Sequence, residues 1–132
     1  MLKKIALSTS QAPAPIAHYA QGAQIGRLVQ VSGQMPADPA TGELVAGIEA
    51  QTRRSLDNVV AILAEANATF ENVIMTRVWL TDYAHFETMD KIYRTYAGAP
   101  APARMTCYVG LPPGMLVEVD VLAVVPEATQ DS

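Results

Sequence analysis

Cysteine is almost missing from this chain. Cys107 is the single one in 132 residues, so no internal disulfide can form. Histidine is nearly as scarce: His18 and His85 stand far apart in the sequence and do not make a metal site. Charge is low at 17%, and 9 Lys and Arg face 13 Asp and Glu for a net charge of −4. Without a basic run or a basic excess, nothing is there to neutralise the phosphates of nucleic acid or an anionic membrane. Long apolar runs are absent as well. The stretch Ile5, Ala6, Leu7 is cut by Ser8 and Thr9, well short of the about 7–15 apolar residues of a secretory leader or the about 20 of a membrane span. No Gly-rich phosphate loop, nucleophile elbow or zinc-ligand spacing occurs, which removes kinases, serine hydrolases and zinc enzymes. A soluble, cytoplasmic protein that binds neither membrane nor nucleic acid is the expectation.

What is present is apolar. Half of the residues are hydrophobic, more than a small monomeric surface needs at so low a charge. The length suits one domain, taken as residues 1–132, with a real core, and the surplus hydrophobe points to self-association.

The periodicity alternates between two and 3.6. "KKIALS" (3–8) is a short strand candidate, "QAPAPIAHYAQG" (11–22) is held extended by its prolines, and "LVQVSGQM" (28–35) alternates like a half-buried strand before breaking at Gly33. Asp38-Pro39 and Thr41-Gly42 are turn chemistry. From about Gly47 to Asn67, Leu56, Val59, Val60 and Leu63 form an amphipathic stripe with Arg53, Arg54, Asp57 and Glu65 outside it. "FENVIMTRVWLTD" (70–82) reads as a strand, with Ile74, Val78 and Leu80 on one face and Val73, Met75 and Trp79 on the other. A second helix follows over 83–98, striped by Phe86, Met89, Ile92, Tyr93 and Tyr96 and stopped by Gly98 and Pro100. The segment 99–110 is extended and then a strand, "LPPG" turns the chain, and 115–125 is the last strand. The order β–β–α–β–α–β–β predicts an α+β fold, one sheet with both helices on one side.

That last strand, "MLVEVDVLAVV", carries Glu118 and Asp120 two residues apart, hence on one face. If the helices cover Val117, Val119, Val121 and Ala123, both acids face away from them, on a sheet face that needs a partner; a second copy of the chain is the simplest one. Burying Glu118 there costs several kcal/mol unless a cation or a hydrogen bond answers it. Arg104 is the natural candidate, expected on a strand antiparallel to 116–125; its planar fork could hold Glu118 or the carboxylate of a small ligand. An Arg and a Glu on neighbouring strands are more often a structural ion pair. Cys107 reads as a small apolar residue, Tyr19 as packing, Gly33 as a turn glycine or a point of close approach, Asp120 as a solvated or interface acid, and both histidines as exposed.

"AHYAQG", "VSGQMP", "GELV", "QTRRSLDNVVAIL", "VWLTDYAHF", "PARMT", "GLPPG" and "VEVDVLAV" occur in this order. Together they resemble the Rid family (RidA, also called YjgF) over roughly residues 3–126. The resemblance implies a chorismate-mutase-like homotrimer with a barrel-like core of three sheets and ligand clefts between subunits. It implies a cofactor-independent deaminase that hydrolyses reactive enamines and imines released by pyridoxal-phosphate enzymes, of the 2-iminobutanoate and 2-iminopropanoate type, to 2-keto acids and ammonia. Carried over, Arg104 clamps the substrate carboxylate, Glu118 activates water, Tyr19 and Gly33 line the cleft, and the backbone of Thr106 contacts the ligand; no metal is implied. Retention of the arginine is what separates members with the activity from those that have lost it. The chain departs from the family in having His18 where proline commonly precedes the tyrosine, and in a slightly shorter segment from Arg104 to Leu111. A non-catalytic trimer that binds small 2-keto acids or other carboxylates is the alternative; a ribonuclease role attached to the family suits the acidic balance poorly.

Overall fold

A computed structural model of the chain describes residues 2–126; Met1 and 127–132, counted in the expected domain 1–132, lie outside them. Eight main elements follow in order: β1 (Ile5–Leu7), β2 (Gly22–Ile25), β3 (Leu28–Gln34), α1 (Ile48–Ala64), β4 (Val73–Leu80), α2 (Phe86–Ala97), β5 (Ala103–Tyr108) and β6 (Val117–Val124). The strands make one mixed sheet in the order β1-β2-β3-β6-β4-β5. Only β4 and β5 run parallel; every other pair is antiparallel. The architecture is α+β, as the periodicity predicts.

Three local expectations differ from the structure. The strand β2 falls at the end of the segment that the prolines predict to be extended and in the unassigned stretch after it; it exists because the two-residue turn Gly26-Arg27, with Gly26 at φ 55°, folds it back on β3. Val73 and Ile74 exchange faces, since Ile74 is an extra residue in the β4–β6 ladder. Val73 is therefore buried and Ile74 is 52% exposed. In α1, Val60 is 40% exposed and Ile62 takes the inward place.

Both helices cover the face made by Val29, Val31, Val78, Leu80, Val117, Val119, Val121 and Ala123, all of them buried. The α1 face that lies on it is half polar. Gln51 donates to the carbonyls of Val45 (3.0 Å) and Gly114 (2.7 Å) and accepts the Leu116 N–H at 2.7 Å, tying two loops together just ahead of β6. Asn58 donates likewise to the carbonyls of Met35 and Ala37. Beside them, Ser55 Oγ is the one buried side-chain polar atom without a partner among the described residues. Gln51→Ala is thus expected to cost about 2–3 kcal/mol, because it orphans three backbone groups, whereas Ser55→Ala is expected to stabilise by about 0.5–1 kcal/mol. Urea unfolding midpoints at constant slope check both signs.

Candidate active site

The two acids of β6 have opposite environments. Asp120 is 6% exposed and fully engaged: Arg77 Nε donates to its Oδ1 at 2.7 Å and Trp79 Nε1 to its Oδ2 at 2.9 Å. Both donors stand on β4, where Arg77 is the direct register partner of Asp120. This answers how a buried acid is tolerated on an apolar strand, and it makes Asp120 a held acid rather than a solvated one.

Glu118 has none of this. It is half-buried, opposite Trp79 in register, and no hydrogen bond or ion pair from a described residue reaches its carboxylate. Burial, and after it the negative charge of Asp120, push its proton affinity above the ordinary carboxylate range.

Its position depends on Gly33. Between the pairs Val31–Val121 and Gln34–Val119, Ser32 and Gly33 together face Asp120 alone, a β-bulge. A Cβ on Gly33 would stand 2.5 Å from Glu118 Oε1 and 3.1 Å from its Cδ. Gly33 is therefore a point of close approach, and what approaches is the Glu118 carboxylate. Gly33→Ala is expected to displace this flexible side chain at a stability cost of under about 1 kcal/mol, which the thermal midpoint checks. The bulge is also where the segment holding Tyr19 attaches: Ser32 N donates to Gln21 O at 2.9 Å and Ser32 Oγ to Ala20 O at 2.6 Å. Tyr19, one residue earlier, is 42% exposed, and its hydroxyl accepts from Ile16 N at 3.3 Å.

Arg104 lies elsewhere. Its strand β5 pairs in parallel with β4 and not antiparallel with β6, so β4 stands between Arg104 and Glu118. The register partners of Arg104 and Thr106 are Thr76 and Val78, both buried on the helix side, so these two residues face α2. Glu118 faces away from the helices. The carboxylate that answers Arg104 within the chain is Asp90, which accepts from Arg104 Nη1 at 2.8 Å on Oδ1 and from Arg94 Nε at 3.1 Å on Oδ2. The hydrogen bond from Arg104 holds the Asp90 carboxyl below its usual range against the opposing effect of burial. The guanidinium sits 4.9 Å from the Tyr93 ring centre and 5.5 Å from that of Phe86, which fixes its plane.

One carboxylate shared by two arginines leaves the group with a net positive charge. Among the described residues, no partner takes the edge of the Arg104 fork formed by Nε and Nη2, so that edge can hold a ligand carboxylate with two parallel bonds. Arg104 also lines a cleft of about 480 Å³ together with Asp90, Tyr93 and Arg94. Because β5 is an edge strand, alternate backbone N–H and C=O groups around Thr106 also lack a strand partner.

Asp90, Arg77 and Trp79 were not singled out from the sequence. Arg77 and Trp79 had a legible signal, being alternate residues of a strand two places apart like the two acids opposite them. Asp90 had none, since its pairing with Arg104 depends on how α2 crosses β5. His18 is exposed as expected, and His85 and Cys107 are half-buried. No group of three or more metal-ligating side chains occurs among the described residues, nor a helix long and apolar enough to cross a membrane.

A bulged mixed sheet with an unpaired carboxylate on one face, an arginine fork at the edge of the other and two helices over that second face defines a small α+β protein. The chain belongs to the Rid family: the family described as endoribonuclease L-PSP matches residues 9–125. It is 40% identical over 124 residues to a RutC family protein of Pyrococcus abyssi, covering 92% of this chain and 98% of that one. It is 39% identical over 126 residues to the 2-iminobutanoate/2-iminopropanoate deaminase of Mus musculus, covering 94% and 93%. The crystal structure of Escherichia coli TdcF with bound serine superposes with a TM-score of 0.87 at 33% identity, covering 92% and 99%.

Proposed function

We propose that the protein is a cofactor-independent imine/enamine deaminase that hydrolyses 2-imino acids to 2-keto acids and ammonia, at sites shared between copies in a homotrimer. Glu118 carries this reading: a half-buried carboxylate without a hydrogen-bond partner among the described residues, with proton affinity raised above the ordinary carboxylate range and fitted against a glycine, is placed to accept a proton. Arg104 would bind the substrate carboxylate through its open edge, with the Thr106 backbone and Tyr19 closing the cleft. Water held by Glu118 adds its oxygen to C2 and gives Glu118 a proton, while the π pair of C=N moves to nitrogen, which takes that proton from Glu118. In the resulting carbinolamine Glu118 takes the hydroxyl proton as the carbonyl forms and passes it to the nitrogen, the C–N bond breaks, ammonia leaves and Glu118 is a carboxylate again. The mouse relative's name and the serine bound to TdcF agree with a small carboxylate bearing nitrogen at C2.

Arg104 and Glu118 lie on opposite faces of one sheet, so one chain cannot supply both to a small substrate. The face that bears Glu118 also carries Leu28 (53% exposed) and Met105 (47% exposed), apolar surface that suits contact with another copy. The test is a coupled assay: a serine or threonine dehydratase generates the imine, and its decay is followed with and without this protein. Acceleration supports the reading, and unchanged decay removes it. Binding of 2-oxobutyrate in calorimetry without acceleration would leave a carboxylate-binding protein instead. Sedimentation as a single polypeptide would remove the shared site.

A further inference from the structure

The chain has only two Phe and five Tyr, yet three of these rings join into one run beside Arg104. Phe86 lies 5.5 Å from the guanidinium. Tyr83 stacks on Phe86, with centres 6.4 Å apart and planes 16° from parallel, and Tyr108 meets Tyr83 at 5.5 Å. Tyr108 is on the same face of β5 as Arg104, because its register partner Leu80 is buried on the helix side like Thr76, the partner of Arg104. The run therefore starts at the fork and extends along the strand for about 13 Å, four residues at about 3.3 Å each.

Tyr83 is 76% and Tyr108 43% exposed, and no hydrogen bond within the described residues ties either hydroxyl. Two rings held mainly against each other in water, next to a cation with an open hydrogen-bonding edge, make an amphipathic site: an anion at one end, an apolar ring surface beyond it.

We propose that this protein prefers 2-imino acids with an aryl group on C3, the ring stacking on the Phe86–Tyr83–Tyr108 shelf while Arg104 holds the carboxylate. Two carbons separate the carboxylate from the ring in such a molecule. In the proposed pose the carboxylate pairs with Arg104 and the ring reaches toward Phe86, whose centre is 5.5 Å from the guanidinium; a methyl or ethyl group would leave the shelf bare. The reaction is the hydrolysis given above, with the same balance of water in and ammonia out, and the inference rests on that reading for the chemistry but not for the binding.

The experiment compares two imino acids made in place by an L-amino-acid oxidase, from phenylalanine and from alanine, and two keto acids, phenylpyruvate and 2-oxobutyrate, in calorimetry. The phenylalanine-derived imine is expected to have a kcat/KM at least about tenfold higher, the factor that one good aromatic contact converts to. Tyr83→Ala and Tyr108→Ala should each cut that ratio by about as much, and Tyr108→Phe should keep it. A ratio near one, or one that the alanine variants leave in place, overturns the shelf and leaves the deaminase reading standing. Ring-dependent preference for phenylpyruvate without acceleration of either imine supports the shelf and removes the hydrolase. Failure to bind either keto acid removes both.

Discussion

Glu118→Gln is expected to be both the more stable protein and the inactive one. The amide keeps the shape of the side chain and removes a charge that has no hydrogen-bond partner in the described structure and stands near Asp120. Because the folded state holds the Glu118 proton more tightly than the unfolded chain does, this group contributes stability that is fully present below the ordinary glutamate range. It is lost as pH rises through the folded-state value. At pH 7 the wild type has lost it and the variant has nothing to lose. The thermal midpoint of the variant should therefore exceed that of the wild type at neutral pH, and the two should converge in acid. Activity should move the other way, with kcat lower by about 10²–10⁴-fold, the usual contribution of a positioned proton acceptor, and binding of 2-oxobutyrate largely retained. The wild-type rate should rise with pH along an acid limb displaced above the ordinary carboxylate range, and the variant should lose that limb. Equal midpoints at pH 7 together with an active variant would make Glu118 an ordinary surface acid.

The sheet and both helices were legible because their periods differ and each is interrupted by glycine or proline. The face assignment on β6 was legible for the same reason: four alternate apolar residues must point one way, so Glu118 and Asp120 must point the other. The pairing of strands was not. The "LPPG" turn suggested a hairpin between β5 and β6, but the chain passes β4 before entering the sheet, and β6 finds its place between β3 and β4. Strand order depends on which faces bury together, and local sequence does not encode it. The same limit explains the missed partners. Arg77 could be matched to Asp120 only after β4 was known to lie beside β6, and Asp90 to Arg104 only after α2 was laid over β5. The close approach of Gly33 to Glu118 arises from a two-against-one bulge, which appears in the sequence merely as a glycine ending an alternating run. Arg104 and Glu118 are paired in the sequence reading by the expected β5–β6 hairpin, resemblance adds their roles, and the fold separates them onto two faces.

Arg104→Ala should fail by a different route. In the proposed mechanism the arginine holds the carboxylate in ground state and transition state alike, so its loss should fall mainly on KM and on the dissociation constant of 2-oxobutyrate. Removing one partner of a hydrogen-bonded charge pair costs about 2–5 kcal/mol, or roughly 30-fold to a few thousand-fold. Arg104→Lys should recover only a small part of this, because an ammonium keeps the charge without the fork. Folding should suffer little, since Asp90 keeps Arg94 as a partner and the lost ion pair and ring contacts are worth about 1–2 kcal/mol together. The two inactive variants then provide a test that neither gives alone. If Arg104 of one protomer works with Glu118 of the next, unfolding and refolding Arg104→Ala together with Glu118→Gln restores some sites. Random assembly in a closed ring leaves roughly a quarter of the seams with both native side chains, and about that share of wild-type activity should return. A site contained in one chain, or a protein that is monomeric, would return none.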